Sequence, residues 1–334
     1  MFTELFRMAE TELKADLDSI NYEDVLNLAS EKLYDLMVSN EVNNVDQLNK
    51  ENEAFVERNY DRWIFGFQKL QMLKQVSLEA GIEFQKQFLQ YPVYKTDPLL
   101  GVLMRQHANA CRITGEIIWL LKGGYADGAL ARWRTLFEIS VTCLVIRRYG
   151  CDAAIDYIKH GRIKAVEGMQ EYQKTAREMN LEPYPNDELE VAIQMKETLS
   201  GGDNSFSWAR KYIGSGRLEK LREHAGLGKW SHYYKLASKN VHADFSEMLS
   251  LFAMSEAKQD LLLAGPSNSG LVEPAHMTAI TLSQITSAFL TVYIEDESNE
   301  LDYSMSFMFL SLVQKYVDAV GQKFLKCSSE SSTR

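Results

Sequence analysis

The chain has 334 residues, of which 46% are hydrophobic and 25% charged, the make-up of a globular protein able to bury a sizeable core. No apolar run approaches the roughly 18–20 uncharged residues of a membrane span, and the four scattered cysteines (Cys111, Cys143, Cys151, Cys327) offer neither a disulfide framework nor a zinc motif. The net charge of −10 is uneven: residues 1–61 carry fifteen Asp or Glu against five Lys or Arg, whereas residues 205–242 carry eight Lys or Arg against Glu219 and Glu223.

The first ten residues, Met1-Phe-Thr-Glu-Leu-Phe-Arg-Met-Ala-Glu, carry acid early and lack the apolar centre and cleavage site of a signal peptide, so the expected location is the cytoplasm. Residues 2–19 and 22–39 read as two short amphipathic helices, and 43–52 as a polar connector. From about Glu53 to Leu89 the residues Phe55, Trp63, Ile64, Phe67, Leu70, Leu73 and Val76 recur at steps of three and four, the spacing of one long helix. Gly66 and Gly81 within it mark close helix contacts. Pro92 and Pro98 bracket a turn, and the next helix, 99–122, ends at Gly123-Gly124.

A helix over about 126–149 closes at Gly150, and another runs to about Asn180, before Pro183 and Pro185. A short exposed helix is expected over 187–198, a loop over 200–205, and short helical pieces around 206–213, 216–225 and 229–255. Gly265-Pro-Ser-Asn-Ser-Gly270 reads as a loop. Two apolar helices, about 275–295 and 300–326, precede a disordered tail at 327–334. No stretch alternates with period two, so the class is all-α: a multi-helix bundle over 53–326 with a long central buried helix, preceded by an acidic helical extension over 1–50.

The rest of the chain is organised around Gly128–Ile146. Only Arg132, Arg134 and Glu138 are charged there. Leu130, Trp133, Leu136, Phe137, Val141 and Leu144 fill one face, with Ile139, Ile146, Ala131, Thr135 and Thr142 on the other, so the helix is expected to be enclosed by others. Arg134 and Glu138 stand four apart and would form a buried pair, in which loss of one partner costs roughly 3–5 kcal/mol. Tyr234, Ser238 and His242, also four apart, make one polar stripe flanked by Lys239 and Asn240. The bland account of the stripe is a hydrogen-bonded core histidine or a solvated face. The functional account holds His242, an acid or base near neutral pH, where Arg134 and Glu138 converge. The island at 205–242 interleaves its basic residues with Phe206, Trp208, Tyr212, Trp230, Tyr233 and Tyr234. That suits a nucleic-acid or nucleotide surface, and equally amphipathic helices with solvated lysines. No P-loop and no Gly-x-Ser-x-Gly elbow is present, and one Glu273-Pro-Ala-His276 without a second copy does not make a di-iron site.

Arg134-Thr-Leu-Phe-Glu138 together with Tyr234…Ser238-Lys-Asn-Val-His242 resembles a bacterial all-helical family of unknown function that pairs an Arg-x-Leu-x-Glu segment with a later Ser-x-x-x-His. The resemblance covers roughly residues 95–255. In flavour it is similar to the HEPN superfamily of helical ribonucleases and nucleotide-binding domains, many of them toxins in phage defence and stress responses. HEPN nucleases carry an Arg-x(4–6)-His motif that two subunits bring together. Lys235 stands where that arginine would precede His242, while Arg217 and His224 have the spacing.

The resemblance implies a metal-independent ribonuclease or nucleotide-acting toxin, dimeric and without cofactor. His242 would be its acid/base, Arg134 would stabilise phosphate charge, and Glu138 would orient one of them. Tyr234, Ser238, Lys239, Asn240, Lys235, Arg217 and His224 would contact an RNA or nucleotide held by residues 205–242. The acidic residues 1–61 would face a protein partner. The alternative is a non-enzymatic helical interaction protein, in which Arg134, Glu138 and His242 form a structural polar network.

Overall fold

The computed structural model describes residues 22–198, 206–239, 241, 251–259, 262–294 and 302–331. Among them there is no strand, and the protein is an all-α multi-helix bundle. The chain divides into two compact units, Met1–Arg58 and Asn59–Arg334.

The first unit holds α1 (Tyr22–Ser39) and the start of α2 (Glu41–Leu89). The polar stretch 43–52, expected as a connector, is helical. No Gly or Pro interrupts it, and Gln47 donates to Glu51 Oε1 at 3.0 Å across one turn. Asparagines alone do not break a helix whose flanks are already wound.

The second unit takes the rest of α2, then α3 (Pro98–Lys122), α4 (Ala126–Thr175), α5 (Asn186–Thr198), the short helices α6 (Arg210–Ile213), α7 (Leu218–His224) and α8 (Ser231–Lys239), and finally α9 (Val272–Leu290) and α10 (Ser304–Ser331). The Pro92–Thr96 turn is a 3-10 segment, and Asp97 caps α3 by accepting from the Leu100 amide at 2.7 Å. Gly150 breaks α4 with φ 76° and ψ −154°, a backbone conformation open to glycine alone, so the predicted closure there is a kink within one element. Of the helical pieces expected around 229–255, Ser231–Lys239 is α-helical and 3-10 turns occupy Gly228–Trp230 and Phe252–Met254, while residues 240 and 242–250 lie outside the described ones. The expected tail is helical as far as Ser331. The helix expected over 2–19 and the loop at 200–205 lie outside the described residues.

The core forms where α9 packs at once against α3, α4 and α10. That position explains why α9 is apolar nearly all round: Ala275, Ala279, Leu282, Ile285, Phe289 and Leu290 are buried. Its buried threonines Thr278, Thr281 and Thr286 donate to carbonyls one turn back. Trp133 of α4 is fully buried and donates its indole N–H to Thr281 Oγ1 at 2.9 Å. On the other side Trp63 and Phe67 of α2 pack on Phe324 of α10. The approach is close enough that a Cβ on Gly66 would meet that ring at 2.7 Å, as the sequence predicts for a contact glycine. Asn59 donates to the carbonyls of Leu121 and Lys122 and so caps the end of α3. The 265–270 loop is pinned where Trp63 donates to the Asn268 carbonyl. Among the described residues no helix is long and apolar enough to cross a membrane.

Candidate functional site

The first half of α4 is less enclosed than its sequence suggests. Trp133, Leu136, Phe137, Ile139 and Val141 are buried against α3 and α9, but Ala131, Arg132, Arg134, Thr135 and Glu138 form a half-exposed edge. The side chains of Arg134 and Glu138 keep 28% and 31% of their surface in solvent, so the fully buried pair is corrected to a half-buried one. The helix α8 lies against α4 and covers this edge only in part. Arg132 takes no part in the pair: it bonds Glu116 of α3, which also binds Arg112.

Tyr234 of α8 reaches the pair from a hundred residues away. Its phenol donates to Glu138 Oε1 at 2.6 Å. Arg134 Nε donates to the phenolic oxygen at 2.9 Å and to the same carboxylate oxygen at 3.2 Å. The ring rests on Phe137, 5.8 Å between centroids, which sets its height over α4. Burial pushes the Tyr234 phenol above its ordinary value, and its bond to Glu138 adds to the rise, so it remains a donor across the physiological range. Burial works against the Arg134 charge, but the phenol and carboxylate outweigh it and hold the guanidinium above its usual value.

A second guanidinium lies over the same ring. Arg222 of α7 is only 6% exposed and sits with Cζ 5.1 Å from the Tyr234 centroid, while Arg134 Cζ is 5.2 Å from it. Among the described residues the buried Nε of Arg222 has no hydrogen-bond partner and no acid pairs with the guanidinium. Cation–π contact with a tyrosine is worth about 0.5–2 kcal/mol, which offsets only part of the cost of a buried charge. Among the described residues the cluster therefore holds two guanidiniums and one carboxylate around one phenol, with Arg134 and Glu138 on the half-exposed edge and Arg222 buried.

The remaining sequence candidates fall in different places. Ser238 donates to the Tyr234 carbonyl at 2.8 Å, so its hydroxyl is spent within its own helix. Lys235 and Lys239 are exposed on α8 beside the cluster. Arg217 is exposed at the start of α7, and His224 stands at its other end, about 10 Å along the axis. There His224 Nδ1 lies 3.4 Å from Tyr149 OH and its carbonyl accepts from Arg148, in a separate cleft of 640 Å³. The two thus do not share one site within a chain. His242 and Asn240 lie outside the described residues.

Arg222 is the member of this cluster that sequence patterns alone do not single out. Its one signal is its register: Leu218, Leu221 and Ala225 make the inward stripe of α7, and Arg222 stands four from Leu218 and three from Ala225. Beside Glu138 a further cleft of 460 Å³ opens between α3 and α4, lined by Arg105, Gln106, Tyr157, Phe206 and Trp208 among others. Gln106 Nε2 donates to Tyr157 OH at 2.6 Å. His160, on the same wall, shares a hydrogen bond with Ser207 Oγ at 3.1 Å. Among the described residues no group of three or more His, Cys, Asp or Glu is arranged to hold a metal ion.

Residues 100–260, which take in Arg134, Glu138, Arg222 and Tyr234, match the model of a family of unknown function, DUF5677. No curated protein and no solved structure matches the chain.

Proposed function

We propose that this chain, with its DUF5677 segment, is a metal-independent ribonuclease or nucleotide-acting protein of the HEPN-like kind, serving as a toxin or effector in stress or phage defence. The observation that carries this reading is Arg222: a buried guanidinium with no carboxylate partner among the described residues, facing the same phenol as Arg134. An uncompensated buried cation is costly, and an anion that arrives with the substrate supplies the missing partner. A phosphodiester fits, because guanidiniums bind its oxygens bidentately and stabilise the charge that grows on them during cleavage.

In this mechanism the ribose 2′-oxygen attacks the adjacent phosphorus, the bond to the 5′-oxygen breaks, and a 2′,3′-cyclic phosphate remains on one fragment. The 2′-hydroxyl proton passes to a base and a proton is delivered to the leaving oxygen. His242 is assigned that exchange from its chemistry. Arg134 and Arg222 neutralise the phosphorane oxygens. Glu138 Oε1 holds Arg134 and Tyr234 in register, a positioning role. Lys235 and Lys239 hold the flanking strand.

The test is cleavage of a single-stranded RNA by the purified full chain. His242→Ala and Arg134→Ala are each expected to lower the rate at least about a hundredfold, with the melting temperature of His242→Ala unchanged. Full activity in His242→Ala would remove the mechanism.

A helical interaction protein with a structural polar network is the second reading. It is favoured by one fact, that Glu138 Oε1 already serves both Arg134 and Tyr234 and so closes the network upon itself. On that reading Arg134→Ala lowers the melting temperature and leaves RNA binding, if any, as it was.

A further inference from the structure

The cleft beside Glu138 has a chemistry of its own. It places a carboxylate, Glu138, and a guanidinium, Arg105, on the walls of one 460 Å³ space, within the roughly 300–1,000 Å³ of small-ligand sites. The two do not pair with each other. Arg105 is exposed, bonds only the Gly101 carbonyl and makes no ion pair among the described residues. Glu138 spends Oε1 on Arg134 and Tyr234, while its Oε2 makes no hydrogen bond with the described residues. The same cleft is lined by Gln106, whose carboxamide Nε2 donates to Tyr157 OH, and by the half-buried rings of Tyr157 and Phe206.

Flat aromatic walls suit a planar base, since stacking on an aromatic side chain serves any nucleobase. The edge groups narrow the choice. Guanine presents two neighbouring donors, on N1 and N2, which suit a carboxylate, and two neighbouring acceptors, O6 and N7, which suit a guanidinium. Adenine presents a lone pair at N1 where a carboxylate requires a donor, and uracil offers a single N–H. We propose that this cleft is a nucleobase subsite selective for guanine, with Glu138 taking the N1/N2 edge and Arg105 the O6/N7 edge. The proposal rests on the phosphate-binding reading of the Arg134–Arg222 cluster, since Glu138 both lines this cleft and bonds Arg134 and Tyr234.

Calorimetric titration of the full chain with GMP, IMP, AMP and UMP tests it. GMP is expected to bind at least about tenfold more tightly than AMP, with IMP between them because it lacks the N2 amino group. Arg105→Ala and Gln106→Leu, neither of which touches the phosphate cluster, are each expected to weaken GMP by about tenfold and to reduce its lead over AMP. Arg105 is exposed and, among the described residues, makes only one backbone bond, so Arg105→Ala serves even if the half-buried Gln106→Leu does not fold. Equal affinity for all four nucleotides, or GMP affinity unmoved by Arg105→Ala, would overturn the guanine subsite. RNA cleavage without any binding of GMP overturns the subsite and leaves the nuclease reading in place. Selective GMP binding without RNA cleavage supports the subsite and removes the nuclease.

Discussion

Arg222 carries its charge into the protein with an aromatic face as its main company. A buried ion kept for structure alone is usually paired, and replacing an unpaired one with an apolar side chain of similar length tends to be neutral or stabilising. Arg222→Met is therefore expected to leave the melting temperature unchanged or raise it, while single-stranded RNA affinity falls tenfold or more. Thermal melts and a filter-binding titration read both. A drop of more than about 3 °C with RNA affinity intact would make Arg222 a structural residue.

His107 gives the opposite case of a buried group whose charge is refused. Its ring is 2% exposed, bonds Thr286 Oγ1 at 3.2 Å and packs on Phe289, and burial lowers its pKa from 6.5 to about 4. The folded state therefore stays neutral between pH 4 and 6.5 while the unfolded chain takes up a proton. Stability contributed by the neutral ring is fully present above pH 6.5 and is lost as pH falls toward 4, by about 3 kcal/mol at the limit. Urea unfolding at pH 7, 5.5 and 4.5, compared with His107→Gln, isolates this from the carboxylates: the variant should lose less stability across that window.

At the scale of the element, the glycines decide where helices may bend and touch. Gly150 turns α4 so that its second half leaves the line of the first. A Cβ at that position would have no atom within 4 Å, so the obstacle to a side chain is the backbone conformation alone. Gly150→Ala is expected to cost about 1–3 kcal/mol in urea unfolding, with no change in the core. At Gly81 the reason is different: a Cβ would stand 2.6 Å from the His107 ring, so Gly81→Ala overpacks a rigid contact and should cost about 1–3 kcal/mol despite the better helix propensity of alanine. The same elements explain which boundaries the sequence marks truly. Asn43 and Asn44 lower helix propensity without forbidding it, so the polarity around them imitates a connector where the helix in fact continues. The φ of Gly150 forbids continuation outright, and there the glycine marks a real break.

Across the whole molecule the net charge of −10 opposes a polyanion, so the RNA binding proposed above requires a local surface. On the proposed function Arg134, Arg222, Lys235 and Lys239 would supply four phosphate contacts. With single strands that implies a log–log salt slope near −3, falling to about −1.5 in a Lys235→Ala, Lys239→Ala double variant. A flat salt response would place the binding surface elsewhere. Much of the architecture was legible beforehand because its signals are local. The 3.6-residue spacing of Trp63, Phe67 and Leu70, the Gly123-Gly124 stop, the contact at Gly66 and the absence of alternating runs each sit within a few residues of the feature they specify, and together they determined an all-α class and most helix ends. What the sequence left open, only the tertiary structure decided: that Tyr234 bonds Glu138, that Arg132 turns instead to Glu116, and that Arg222 is buried with no acidic partner among the described residues. Those facts depend on how α7 and α8 lie on α4, and the packing of helices distant in the chain is a property of complementary surfaces that no short spacing encodes.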